Sequence, residues 1–256
     1  MKHTMITMLA VLLVSCGTGN KEKETDLNTI HKKWELSVLD GEQIAANSPI
    51  YIDLTEDTIV SGFTGCNRLI GSYAIENESQ IKFSQLGTTL MACPELEMEL
   101  ESKVLELLNT ADNFTIDNGK LMLNVGRRAP LATFYEMSDN EIVNKYWKLI
   151  KLEGDTVQMA ANQEREQYFT LRSDGSISGF AGCNHFTGQY TLTEASGISI
   201  NENLAISLKV CPDVDIDESA FLRVLLRTNN YTISNDTLCL NAGKDAPLAI
   251  FEAVYF

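Results

Sequence analysis

The chain has 256 residues, with 20 Lys and Arg against 35 Asp and Glu, for a formal net charge of −15. That balance argues against nucleic acid as a partner and against electrostatic docking on anionic lipid. The length suffices for two domains of ordinary size.

Lys2 and His3 precede an apolar run from Met8 to Val14. The run is too short to span a bilayer and has the shape of a secretory signal, a basic start followed by an apolar middle. It ends in Leu13-Val14-Ser15-Cys16, which resembles the bacterial lipobox, where the cysteine is lipidated and becomes the new N-terminus. Residues 1–15 are therefore expected to be a lipoprotein signal peptide, with Cys16 as the lipidation site. An ordinary signal peptide with an incidental cysteine is the alternative. Residues 16–29 are small, polar and charged, which predicts a flexible tether. The expected location is the bacterial cell envelope, with the protein held through its N-terminal lipid at a membrane, the outer membrane by preference.

The remaining chain is written twice. Trp34-Glu35-Leu36 recurs as Trp147-Lys148-Leu149, and Gly62-Phe63-Thr64-Gly65-Cys66-Asn67-Arg68 as Gly179-Phe180-Ala181-Gly182-Cys183-Asn184-His185. Ala92-Cys93-Pro94 recurs as Val210-Cys211-Pro212, and Ala129-Pro130-Leu131-Ala132 as Ala246-Pro247-Leu248-Ala249. A period this long marks a tandem domain duplication, not a solenoid. The boundaries are set at 30–138 and 141–256, with a short polar seam near Met137-Ser138-Asp139-Asn140.

Within each copy the pattern reads as strands, one helix, then strands. Trp34 to Val38 and Tyr51 to Leu54 alternate at period two, and Ser176 to Phe180 is another short strand. Tyr73-Ala74-Ile75 and Gln80 to Phe83 flank a polar turn and predict a hairpin. After Pro94, Leu96, Leu100, Val104, Leu107 and Leu108 fall on one helical face. Acidic residues crowd that helix start in both copies, where the dipole favours them. Asp213-Val214-Asp215-Ile216-Asp217 lacks the glycine and glutamate that an EF-hand requires. Leu121 and Leu123 alternate with Met122, so that strand is expected to be covered on both faces.

Cys66 and Cys93 match Cys183 and Cys211 in position. In an exported protein the simplest arrangement is one disulfide per copy, though a single sequence does not exclude other pairings. Closing a loop of about 28 residues removes about 3.5 kcal/mol of unfolded-state entropy in the chain-entropy model. A cysteine nucleophile would need a base nearby: Cys183 has His185, but Cys66 has Arg68. A zinc site would need about four ligands, and Cys183, His185 and Cys211 give three at most. A phosphate loop would lead into a helix, whereas a strand follows here. The scaffold reading gives Gly65 and Gly182 a restricted backbone, and Asn67 and Asn184 a role in bonding the turn. Cys239 is left over and is expected to be a buried small hydrophobe in place of Met122.

On these residues the chain resembles the META/HslJ-like domain family, a domain of unknown function. The resemblance lies in Gly65-Cys66-Asn67-Arg68-Leu69 with Met91-Ala92-Cys93-Pro94, and in Gly182-Cys183-Asn184-His185-Phe186 with Lys209-Val210-Cys211-Pro212. It departs at His185 and Lys209-Val210. The resemblance implies an α+β fold, predominantly antiparallel β. Each copy would be a curved sheet or partial barrel packed on one helix. It also implies an envelope lipoprotein, in some members linked to stress or antibiotic tolerance, and brings no catalytic mechanism and no cofactor or metal. The expected function is non-enzymatic: binding or steadying another envelope component. The alternative is a carrier holding a lipid or apolar peptide in a groove between sheet and helix. An enzyme ranks last, because no acid–base or metal set repeats in both copies.

Overall fold

The computed structural model describes residues 30–44, 46, 48–244 and 246–255. The expected signal peptide, Cys16 and the tether lie outside the described residues. The first copy contains β1 (Lys33–Leu39), β2 (Glu42–Gln43), β3 (Tyr51–Asp53), β4 (Ile59–Phe63), β5 (Arg68–Glu76), β6 (Gln80–Thr88), α1 (Glu95–Thr110), β7 (Asn113–Asp117), β8 (Lys120–Asn124) and β9 (Ala132–Glu136). Apart from β2, these strands pair antiparallel in chain order, and β9 returns to β1, with Trp34 opposite Glu136 and Leu39 opposite Ala132. The sheet closes as an eight-stranded barrel, with β2 hairpinned onto β1 outside the ring.

The second copy repeats this plan with β10 (Tyr146–Leu152), β11 (Asp155–Thr156), β12 (Tyr168–Leu171), β13 (Ser176–Phe180), β14 (His185–Thr193), β15 (Gly197–Ile200), β16 (Ala205–Ile206), α2 (Glu218–Arg227), β17 (Asn230–Ser234), β18 (Thr237–Asn241) and β19 (Ala249–Val254). The pairing of β10 with β19 closes it. Two mostly antiparallel domains therefore stand in tandem. They are more β-rich than a curved sheet against a helix, and closed where a partial barrel was expected. Closure rests on pairing between the first and last strands of each copy, which local periodicity does not encode.

Period-two alternation places Trp34, Leu36, Leu121, Leu123 and Phe134 inside the first barrel, and their counterparts Trp147, Leu149, Leu238, Leu240 and Phe251 inside the second. The barrels have separate cores. Each buried indole has its partner: Trp34 Nε1 donates to the Ile30 carbonyl at 2.8 Å, and Trp147 Nε1 to that of Ile142 at 2.8 Å. The outer side of the β8 and β18 strands departs from expectation. Met122 and Cys239 are only half-buried, because they lie on the face of the strand opposite the core-facing leucines Leu121 and Leu123, and Leu238 and Leu240.

Strands β6 and β7 share one register pair, Gln80 with Asn113, as do β15 and β17 through Gly197 and Asn230. The helix connects the two strands at this seam, and α1 sends Val104, Leu107 and Leu108 into the barrel core. The expected apolar stripe is fully buried only in these later turns. Leu96 is exposed and Leu100 half-buried, since the protein-facing position of the earlier turns is held by Glu101. The polar seam is fastened to the second barrel: the Ser138 amide donates to Ser173 Oγ at 3.0 Å, and Asn140 Oδ1 accepts from Ile142 N and Tyr231 OH, both at 3.1 Å. Among the described residues, no helix is long and apolar enough to cross a membrane.

Candidate functional site

The repeated turn joins β4 to β5 and β13 to β14. Gly65 has φ +109° and Gly182 φ +129°, a region that favours glycine. The structure joins Cys66 to Cys93 with Cα atoms 5.8 Å apart, and Cys183 to Cys211 with Cα atoms 6.0 Å apart. Asn67 and Asn184 are buried, and their side chains act as surrogate backbone. Asn67 Oδ1 accepts from Met91 N at 2.7 Å, and its Nδ2 donates to Met91 O at 3.4 Å. Asn184 does the same with Lys209 N at 2.7 Å and Lys209 O at 3.3 Å. Arg68 and His185 are exposed; their backbone amides donate to Thr89 Oγ1 and Ser207 Oγ, both at 3.1 Å, and those hydroxyls donate to Asn67 and Asn184 Oδ1.

A carboxylate from each helix completes the turn. Glu101 Oε2 accepts from Asn67 N at 2.8 Å and from the Thr64 hydroxyl at 2.5 Å, while Oε1 accepts from Asn67 Nδ2 at 3.1 Å. Glu218 Oε1 accepts from Cys183 N at 2.7 Å and Asn184 N at 2.6 Å, and Oε2 from Asn184 Nδ2 at 2.8 Å. Each glutamate lies 34 residues after its asparagine. That shared spacing is the signal that sequence reasoning missed when it assigned these acids to the helix dipole alone.

The turn, the glutamate and the disulfide hold one short segment rigidly against the barrel, and that segment carries apolar side chains outward. Leu90 is 98% exposed and Met91 63%; in the second copy Leu208 is 95% exposed and Val210 84%. Beside Val210 lies a cavity of about 220 Å³, lined by Phe180, the Cys183–Cys211 bridge, Pro212, Asp213 and Val214. Lys209 Nζ donates to Glu164 at 3.0 Å on its rim and holds that carboxyl below the usual range. Among the described residues, no group of three or more His, Cys, Asp or Glu side chains could hold a metal ion.

The META domain family profile matches residues 25–138 and again 140–255. The chain belongs to the META domain family. No significant match is found among curated proteins. Among solved structures, the chain is similar to a protein from Burkholderia xenovorans determined by NMR. The two share 29% identity at a TM-score of 0.36, over 43% of this chain and 83% of that one. A second NMR structure matches at 22% identity and a TM-score of 0.35, over 41% of this chain and 89% of that one.

The two META domains touch through a pair that only one orientation supplies. Glu35 of the first is a buried acid on β1, and Arg172 of the second follows β12. Arg172 Nη1 lies 3.3 Å from Glu35 Oε1, and its Nη2 donates to the Ala46 carbonyl. Glu35 Oε2 accepts from Ser173 N at 3.0 Å. Lys148 and Thr55 occupy the equivalent places in the other copies, so the domains have diverged where they meet. Ser37 donates to Asp174 at 2.6 Å beside this pair. A cleft of about 260 Å³ opens there, with Gln43 and Tyr135 on one wall and Ser178, Thr187 and Gln189 on the other. Below it Tyr190 donates to the Arg172 carbonyl at 2.7 Å, and burial pushes its phenol well above the ordinary tyrosine range.

Proposed function

We propose that this tandem META protein is a non-enzymatic recognition module of the bacterial envelope, tethered through Cys16, that binds or steadies another envelope component. The observation that carries the reading is the duplicated presentation of apolar side chains. Two copies that differ over much of their length both hold a leucine almost fully in water, at the same place, on a cross-linked support. A lone exposed leucine is ordinary; the same one kept rigid in both halves marks an interaction surface. Among the described residues, the helices send Val104, Leu107, Leu108, Phe221, Val224 and Leu225 into the barrel cores, which favours this reading over a carrier with a groove between sheet and helix. A role in stress or antibiotic tolerance would follow from the identity of the bound component.

The test is capture from envelope extracts by the intact chain, compared with Leu90→Ser/Leu208→Ser. Loss of the captured component in the variant, at unchanged melting temperature, supports the reading. Equal capture by both proteins would remove it. Anchoring is tested separately: Cys16→Ser should move the protein from the membrane to the soluble fraction or leave it unprocessed. Unchanged membrane association would count against lipidation.

A further inference from the structure

We infer that each platform docks a basic, amphipathic segment of a partner protein, one segment per META domain; the inference rests on the recognition reading above. The outward-facing leucines belong to a longer repeated string. Leu90-Met91-Ala92-Cys93-Pro94-Glu95-Leu96-Glu97 has its counterpart in Leu208-Lys209-Val210-Cys211-Pro212-Asp213-Val214-Asp215. Both contain Cys-Pro-acid-apolar-acid, and Leu96 is itself 69% exposed. In the first domain the acids sit in the opening turn of α1, where the helix dipole would account for them. In the second it does not. Helix α2 begins at Glu218, with Asp217 as its N-cap accepting from Ala220 N at 3.0 Å, so Asp213 and Asp215 precede the helix altogether. Acid–apolar–acid is retained where helix electrostatics does not require it.

Three of these acids are also available: Glu95, Asp213 and Asp215 are exposed, whereas Glu97 is half-buried and turns Oε2 inward. Nearby cations are engaged elsewhere: Lys103 by Glu99, Lys209 by Glu164 and Arg223 by Asp217. Arg68, on the strand side of the first platform, is not in an ion pair among the described residues, and it leaves the helix side acidic. Glu95, Glu97, Asp213 and Asp215 form no ion pair among the described residues. The cavity beside Val210 fits the same occupant. Phe180, Pro212 and Val214 can line the aliphatic stem of a Lys or Arg while Asp213 meets its charged head. An anionic membrane and a second copy of this chain would both bring negative charge to an acidic rim.

The test uses the full chain and an 18-residue Leu/Lys amphipathic peptide, with Leu/Gln and Leu/Glu peptides of the same pattern, read by fluorescence anisotropy. The Leu/Lys peptide should bind saturably, and the Leu/Gln peptide at least tenfold more weakly. Leu90→Ser/Leu208→Ser should weaken Leu/Lys binding at least tenfold without moving the melting temperature, which separates docking from non-specific attraction to an acidic protein. Asp213→Asn/Asp215→Asn should weaken the second site alone. Four results would overturn the inference: no binding of the Leu/Lys peptide; equal binding of the Leu/Gln peptide; leucine-dependent binding to phosphatidylcholine vesicles; or leucine-dependent self-association in sedimentation. Each of these leaves capture from envelope extracts as an independent measurement, so the recognition reading stands or falls separately.

Discussion

Removing the Glu101 carboxylate would leave the Asn67 backbone N–H without an acceptor in a turn shut off from water. A buried donor stranded in this way costs about 1–3 kcal/mol. Glu101→Ala is therefore expected to destabilise the first barrel by that amount in urea unfolding, and Glu218→Ala to do the same to the second. Thr64→Val removes one hydroxyl donor while the Asn67 amide keeps its acceptor, so it should cost less, about 0.5–1.5 kcal/mol. Equal costs for Glu101→Ala and Thr64→Val would mean that the backbone donor is not the critical group. At this scale the sequence was legible in part. Gly65 and Asn67 announce a bent, side-chain-bonded turn through their own conformational preferences. Glu101 does not, because a glutamate on a helix looks alike whether it faces water or a buried amide.

The helices show where periodicity stops being informative. The spacing of Leu96, Leu100, Val104, Leu107 and Leu108 locates a helix, yet only its later turns are fully buried, with Leu100 packed against the edge of the core and Leu96 exposed. A stripe at 3.6-residue spacing says that side chains share a face, not that the whole face has something to lie against. Leu107→Ala is thus expected to cost about 2–5 kcal/mol, as for a core truncation. Leu96→Ala should fall within about 0.5 kcal/mol, as for a surface change. Urea midpoints of the two variants settle the comparison, and a large loss at Leu96 would place the helix differently on the barrel. Each disulfide closes a loop with a sequence separation of 27 or 28, so reduction should lower the stability of its barrel by about 3.5 kcal/mol in the chain-entropy model. The strands were easier to read than their pairing. Ser176–Phe180 and Lys120–Asn124 stand where alternation puts them, whereas the meeting of β1 with β9 joins residues about a hundred apart and leaves no local trace.

For the whole molecule, the question is how far the two domains act as one body. Their cores share no residue, and each barrel closes on itself, so each owns what it needs to fold. The contact between them is polar and turns on Glu35, whose side chain is 4% exposed, and Arg172, whose side chain is 13% exposed. Breaking a buried pair by removing one partner costs up to about 3–5 kcal/mol, because the remaining charge loses its compensation. Here the interface can open and let water reach Glu35, which caps the loss. Arg172→Ala should therefore separate the unfolding of the two domains instead of destroying either: one cooperative transition in calorimetry becomes two. Glu35→Ala/Arg172→Ala should cost less than the sum of the single changes, since both act on one contact. Fragments 30–138 and 139–256 should each melt cooperatively. A fragment that starts at 141 should melt lower than one that starts at 139, because it lacks the Asn140 oxygens that accept from Ile142 N, Val143 N and Tyr231 OH. If neither fragment folded, the interface would be part of the fold and not a contact between two finished domains. If Arg172→Ala left a single unchanged transition, the pair would not be what couples them.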